Sequence, residues 1–385
     1  MKYPVIKILS PELSLLGELD AYTSLILTRR WQGVGEFEIH APATVSCAGQ
    51  LAENRIIMLD SDGRRNGIIR SLTYDEGENG VMVTARGQTL NGLAAQRYTI
   101  PNGDPYNGGY DNVPALTAPS QTPSPLPAET VMKTYVDRHM VHPQDETRAF
   151  PNLALTPDLG QGAETVWMSR YEQLDGVLQR IGEYTDTGWQ ISINLQKKQL
   201  EFDVLCGTDR SISQNETSRV LFSREFESIG SLNYSRDNSN LKNVGYAGGA
   251  GEGADRIILK ITNEAAEPTG LARHETFLDC GSVEITESDT AMSLSEEGKH
   301  KLLEYPMTES LTATIAPSGS FQYLEDWDLG DKVTVFSRTV GVSLDTRITE
   351  ITERYEAQEF GLDVCFGVPA PDLGRIIKTF RNTVK

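Results

Sequence analysis

No two cysteines lie close together in this sequence. Cys47, Cys206, Cys280 and Cys365 are scattered along 385 residues, so there is no CxxC pair to form a zinc knuckle or a dithiol redox centre. Four isolated thiols are expected to stay reduced, as in a protein made in a cytosol. No run approaches the roughly 18 apolar residues that a membrane-spanning helix needs. Met1 to Ser10 lacks the basic region, apolar stretch and cleavage site of an export signal. The GxSxG nucleophile elbow, the HExxH zinc motif and the phosphate-binding P-loop are all missing. Positive charge is scarce too: 35 Lys and Arg face 54 Asp and Glu, for a net charge of −19. Such a chain repels nucleic acid, which argues against sequence-specific DNA binding. Two readings of the acidity stay open. It can serve plain solubility, or it can form a pore wall past which DNA slides without sticking.

What is present favours short strands and many turns. There are 34 Gly and 18 Pro, and the 38% hydrophobic share is enough for real cores. At roughly 100–200 residues per domain, the length allows two to four domains. The first hundred residues read as strands and hairpins: Tyr22–Arg30, a glycine-rich turn at Trp31–Gly35, Glu36–Ile39, and Arg55–Asp60. Asp62-Gly63 and Asn66-Gly67 are hairpin signals before Ile68–Tyr74, and Glu78–Gly80 turns into Val81–Arg86. Leu90, Leu93 and Ala94 then fall at helical spacing. Residues 101–127, rich in Pro, Gly, Asn and Ser, read as a linker.

Helices are expected over Ala128–Met140 and Arg170–Tyr184, the second with Leu174, Val177, Leu178 and Ile181 on one face. A hairpin follows, with Trp189, Ile191, Ile193 and Leu195 alternating out and Leu200, Phe202 and Val204 alternating back. From about residue 223 the β pattern resumes, interrupted by a helix over Ser293–Tyr305. Val342, Leu344, Thr346 and Ile348 share a face but Ile351 lies on the other, which predicts a bulge near Thr349. Phe360, Leu362, Val364 and Phe366 share a face. Arg375–Lys385 reads as a basic, helical tail.

Several segments carry a chemical suggestion beside a plainer one. Gly248, Gly249, Gly251 and Gly253 could cradle a phosphate, but a strand-like stretch follows where such a loop needs a helix, so a hairpin tip is expected. His139 and His142, with Asp145 and Glu146 nearby, have metal-ligand spacing. Pro143 breaks the helix there and no second ligand cluster exists, so surface histidines are expected. His274 and His300 are read the same way. Asp60–Gly63 resembles the start of a calcium loop, but its continuation is basic, and a hairpin turn is expected. Trp167, Tyr171, Tyr184 and Trp189 could stack on carbohydrate or could build a core. Carboxylate pairs for glycan hydrolysis can be drawn in too many ways to be informative. No residue is singled out as catalytic, cofactor-binding or metal-ligating, and no cofactor is expected.

One combination is distinctive. Leu329–Val335 (LGDKVTV), then Asp345–Ile351, then Val364–Gly367, resembles the C-terminal β region of phage tail-tip proteins of the siphovirus ReqiPepy-type group. That group is similar in turn to the structural N-terminal part of tail-associated lysins and to the baseplate hubs of contractile tails. Gly67–Arg70 leading into Val81–Leu93 is similar to the way these hubs finish their first barrel, and Leu271–Phe277 resembles the middle of the family. The resemblance runs from about residue 5 to 367. It implies a mainly β protein with an α+β insert, built from two tail-tube-like antiparallel β-barrels plus peripheral α+β domains. The expected layout is a first hub barrel over 1–105, a linker over 106–127, an α+β domain over 128–222, a second hub barrel over 223–368 with a helical insertion near 292–305, and a tail over 369–385.

The resemblance also implies a structural, non-enzymatic hub of a phage or phage-tail-like particle. It would be made in the bacterial cytoplasm and carried at the virion tail tip. Its implied partners are two more copies of itself in a homotrimeric, pseudo-sixfold ring, the tail tube or distal tail protein, and a spike, fibre or tape-measure protein. DNA would pass as non-specific cargo. In tail-associated lysins the hydrolase follows the hub, and this chain is expected to end without one. The alternative is a cell-wall hydrolase or a host-carbohydrate-binding module of the tail tip.

Overall fold

A computed structural model describes residues 3–78, 80–101, 109–115, 124–281, 290–316, 319–356 and 359–367. The basic tail and parts of the 101–127 segment lie outside these residues. The dominant element is one sheet of 13 strands. Along its main path the strands run Ile229–Asp237, Thr308–Ile315, Glu359–Gly367, Val342–Glu356, Ser24–Arg30, Glu36–Pro42, Gly80–Gln88, Asp62–Gly77, Ile56–Leu59, Ile6–Leu9 and Leu15–Leu19. Lys332–Ser337 pairs with Val342–Glu356, and Leu221–Ser223 pairs with Lys332–Ser337.

Each half of the sheet curls around its own apolar core. Leu25, Leu27, Phe37, Ile39, Val83, Ala85, Ile57 and Ile8 fill the N-terminal one. Phe222, Trp327, Val333, Val335, Leu311, Val364 and Phe366 fill the C-terminal one. Alternation explains the split: along each strand every second residue points to one core, and polar residues occupy the other face. The chain is mainly β as expected, but among the described residues strand pairing follows an open path and closes no barrel. The halves meet where Ser24–Arg30 pairs antiparallel with Val342–Glu356, from Glu350 opposite Arg30 to Glu356 opposite Ser24.

The helices Ala128–Val136 and Leu174–Thr185 and the hairpin Gly188–Asn194/Gln199–Leu205 form an α+β layer. Its core includes Leu9, Met58, Leu90 and Leu93, so it packs on the outside of the N-terminal half. Two asparagines stitch the layers together. Asn66 Nδ2 donates to Ile191 O at 2.9 Å, and its Oδ1 accepts from Leu90 N at 3.0 Å. Asn91 Nδ2 donates to Trp189 O at 3.2 Å, and its Oδ1 accepts from Ile191 N at 2.8 Å. Asn66-Gly67, expected as a hairpin turn, therefore lies inside a strand. Gly67 is there for closeness, since a Cβ would sit 2.4 Å from the Phe37 ring. The turn comes earlier, at Asp60, whose φ is 53°.

Part of the segment read as a linker is also structured. Asp111–Val113 pairs with Trp167–Ser169, and Asp111 is buried because Arg138 Nη1 (2.6 Å) and His139 Nε2 (2.7 Å) hold its carboxylate. A last small lobe packs the helix Thr290–Leu302 against a sheet of Val244–Gly248, Ile258–Ile261 and Glu275–Asp279.

Candidate functional site

Three buried charged residues, Arg29, Arg65 and Glu353, converge on the seam between the two halves. Arg29 is the next inward position after Leu25 and Leu27 on its strand. Glu353 is inward on Val342–Glu356, between Ile351 in one core and Tyr355 in the other. Arg65, on Asp62–Gly77, reaches the same point. Glu353 is 0% exposed, and both its oxygens are fully used. Oε1 accepts from Arg65 Nε at 3.1 Å and Tyr323 Oη at 2.8 Å; Oε2 accepts from Arg65 Nη2 and from Tyr355 Oη at 2.7 Å. Arg29 Nη2 donates to Tyr323 Oη at 2.6 Å and to Asp328 Oδ1 at 2.5 Å. Arg64 holds the other oxygen of Asp328 at 2.9 Å.

Each tyrosine hydroxyl thus donates to the carboxylate and accepts from an arginine. Burial works against the charge on Arg29, but Tyr323, Asp328 and Glu353 outweigh it and hold its pKa above the ordinary arginine value. Burial pushes the Tyr323 and Tyr355 phenols well up, so both stay protonated and able to donate.

Beside this cluster, Trp31 joins three parts of the fold. It is 2% exposed, with its backbone N–H donated to Thr349 O at 2.9 Å and its backbone carbonyl accepting from Trp189 N at 3.1 Å. A Cβ on Gly188 would lie 2.3 Å from its ring, and one on Gly330 would lie 2.0 Å away. Arg347 sits 5.5 Å from the ring centre and ties Gly330 O (2.5 Å) and Cys206 O (3.0 Å) to Asp186 (2.8 Å). Gln32 adds bonds to Gly182 O and Thr187 O at 2.8 and 3.1 Å.

The opposite face of the sheet is polar across eight consecutive strands, from Asp62–Gly77 to Ile229–Asp237. Register fixes its rows. One runs Ser71, Arg86, Glu38, Ile26, Arg354, Gly361; another runs Gln88, Glu36, Thr28, Thr352, Asp363, Thr314, Ser231. Thr28 and Thr352 meet across the seam at 2.9 Å. Carboxylates Glu36, Glu38, Glu350, Glu356 and Asp363 outnumber Arg30, Arg86 and Arg354, and every one of these arginines is paired. Arg86 grips Glu38 at 2.7 and 3.0 Å, Arg30 bridges Glu350 (2.7 Å) and Glu36 (2.9 Å), and Arg354 pairs with Asp363. The Arg86 hydrogen bonds hold the Glu38 carboxyl below its usual range. A phosphate chain on this face would meet acids and already-satisfied arginines.

The residues weighed from sequence fall elsewhere. His139 is buried against Asp111 rather than on the surface, while His142 is exposed and bonded to Asp137 at 2.7 Å. Asp145 caps Thr147. Trp167 and Trp189 are core residues, as the plainer reading had it, while Tyr184 is half-buried and Tyr171 is exposed rather than in the core. Gly251 and Gly253 have positive φ in the loop before the strand Ile258–Ile261. His300 is likewise not on the surface. Its ring stacks on Trp167 at 4.0 Å and meets the Tyr184 edge at 4.7 Å, joining the small lobe to the α+β layer.

Burial lowers the His300 pKa to about 4, with Glu296 opposing and Arg180 and Lys299 reinforcing the shift. An unfolded histidine titrates near 6.5. The neutral ring's contribution is therefore complete above that value and is lost as pH falls from about 6.5 to about 4. Glu297 and Glu304, with pKa values raised by burial, oppose this by gaining protons in the fold. The informative comparison is with His300→Phe, which keeps the stacking and removes the titration. Its stability relative to wild type should rise by about 2–3 kcal/mol between pH 7 and pH 4 in urea melts. An unchanged difference would contradict a buried neutral ring.

The sequence matches the profile of the family described as Siphovirus ReqiPepy6 Gp37-like protein over residues 5–368. The chain belongs to that family. Its fold is that of phage tail proteins. It is similar to a tail protein from Neisseria meningitidis MC58, at 12% identity and TM-score 0.56, over 94% of this chain and 96% of that one. It is similar to the 43 kDa tail protein of prophage MuSo2 from Shewanella oneidensis, at 10% identity and TM-score 0.57, over 95% and 98%. A third likeness is to prophage tail protein gp18 from Listeria monocytogenes EGD-e, at 10% identity and TM-score 0.53, over 99% of both chains. No curated protein matches the sequence. Sequence reasoning missed the Arg29–Arg65–Glu353 cluster of this family member. The available signal was a charged residue at an inward-facing position of two separate strands.

Proposed function

We propose that this Gp37-like protein is a structural hub of the tail tip, a homotrimeric ring whose inner wall is the polar eight-stranded face. The two curled β halves, residues 1–105 and 223–368, act as tube-type units, and the α+β region over 128–222 lies outside the ring. The observation that carries this reading is the continuity of the polar face across both halves, with arginines neutralised in place. DNA sliding past such a wall meets Arg30, Arg86 and Arg354 already neutralised by carboxylates, so it gains little from counterion release there and does not stick.

The two ends of the face support assembly from several copies. Among the described residues, Arg70–Gly77 has no strand partner on the side away from Gly80–Gln88, and Ile229–Asp237 has none on the side away from Thr308–Ile315. Open edges of this length are templates for another strand. In this reading the ring joins the tail tube or distal tail protein to a spike, fibre or tape-measure protein, and the chain acts by assembly rather than by catalysis.

The wall is tested by reversing its charge. Glu36→Lys with Glu350→Lys removes both carboxylate partners of Arg30 and adds two cations. Assembled tails carrying the pair should form in normal number but deliver DNA at least about tenfold less efficiently, with the defect shrinking at high salt. Normal delivery by tails shown to contain the variant would count against the lumen assignment.

A further inference from the structure

Arg97 and Arg148 belong to neither the seam nor the polar face, and their situation is unlike that of the arginines there. Arg97 Nε donates to Arg148 O at 2.6 Å and its Nη1 to Gln96 O at 3.1 Å, while its guanidinium lies 4.0 Å over the Phe150 ring. Arg148 Nη2 donates to Tyr98 O at 2.6 Å. These acceptors are neutral carbonyls. Among the described residues, neither guanidinium forms an ion pair with a carboxylate. Asp145, the acid that acts on Arg148, has its Oδ1 taken by the Thr147 N–H at 3.0 Å and hydroxyl at 2.6 Å.

The two arginines line a surface cavity of about 290 Å³ with Gln96, Tyr98, Ile100 and Thr147. Tyr98 is half exposed there. Burial lowers the Arg97 pKa and the charge of Arg148 lowers it further; burial lowers Arg148 as well, partly offset by Asp145. In a chain of net charge −19, backbone bonds and ring stacking hold these two adjacent cations together, and among the described residues no carboxylate is ion-paired with either.

We propose that Arg97 and Arg148 form a binding site for a phosphate-bearing ligand. Beyond the N–H groups given to carbonyls, Arg97 Nη2 and Arg148 Nε and Nη1 supply donors that phosphate oxygens accept, and the joint charge of the two guanidinium groups matches a dianion. The cavity exceeds a bare phosphate and has room for a small ester beside Tyr98. The site is independent of the hub reading, because nothing in it uses the polar face or the ring.

The test uses the full chain near neutral pH, with ionic strength held constant by sodium chloride. Inorganic phosphate and glycerol phosphate are titrated by calorimetry. Saturable binding with a Kd on the order of 1 mM or tighter is expected for at least one of them. Equal affinity for both would make the phosphate group itself the ligand, while preference for glycerol phosphate would indicate a polyol ester. Arg148→Gln should weaken binding at least about tenfold. Arg148→Lys, which keeps the charge without the fork and guards against misfolding, should weaken it about threefold. No saturable binding of either probe, or wild-type affinity in a folded Arg148→Gln protein, would overturn the site.

Discussion

Glu353→Ala should destabilise the protein by about 3–5 kcal/mol, read as a lower urea midpoint near neutral pH. The reason is what it leaves behind. Arg29 and Arg65 are 5% and 4% exposed, and Glu353 is the buried carboxylate between them. Its removal leaves Arg65 with Asp60, 3.6 Å away, as its carboxylate and Arg29 with Asp328. Tyr323 and Tyr355 also lose their acceptor. Glu353→Gln should retain most of the loss, since it keeps the shape but not the charge. Exposed Glu12→Ala should change stability by less than about 0.5 kcal/mol. Breaking a buried charge cluster costs more than replacing it, so replacing Arg29, Arg65 and Glu353 together by apolar residues should cost less than Glu353→Ala alone. A loss below about 1 kcal/mol for Glu353→Ala would mean that the seam does not depend on these charges.

The second large effect is at Trp31. Trp31→Ala should cost about 3–5 kcal/mol, because it empties the space where both β halves and the α+β layer touch one ring. Gly330→Ala should be comparably harmful for two separate reasons. Its φ of +90° is a conformation that an L residue resists, and its Cβ would fall 2.0 Å from the ring. The reasons can be separated. In a Trp31→Ala background the steric part disappears, leaving a backbone cost of about 1 kcal/mol. Thermal melts of the two single variants and the double variant supply this comparison. Simple additivity would show that Gly330 is not required by Trp31.

These two predictions concern residues that the sequence made visible only in part. The strand pattern was legible down to a detail. The change of face between Ile348 and Ile351 called for a bulge at Thr349, and the pairing of Val342–Glu356 with Glu359–Gly367 shifts register between Ile348 and Glu350. Buried helix faces were legible too, because Leu174, Val177, Leu178 and Ile181 repeat with the helical period. The strand Ile229–Asp237 was legible only as part of the β pattern resuming near residue 223 and not by its bounds, since its Gly, Ser and Asn have little β propensity and its order comes from pairing with Thr308–Ile315. Asn66-Gly67 misled because the dipeptide that suits a tight turn also suits a strand whose neighbour, Phe37, needs the room. His139 and His300 misled because their partners, Asp111 and Trp167, are distant in sequence. The seam cluster failed for the same reason: Arg65 and Glu353 are 288 positions apart. Alternation held the signal that Arg29 and Glu353 point inward, which the sequence reading did not use, and only the fold brings Arg65 to them.

The central claim is that three copies of this chain line the channel at the tail tip. Cryo electron microscopy of purified tails carrying a C-terminal tag on this protein tests it most directly. The account predicts three tags around the axis at the tip, with Glu38 and Glu350 facing the lumen. Tails without label, or label away from the axis with the polar face turned outward, would contradict it.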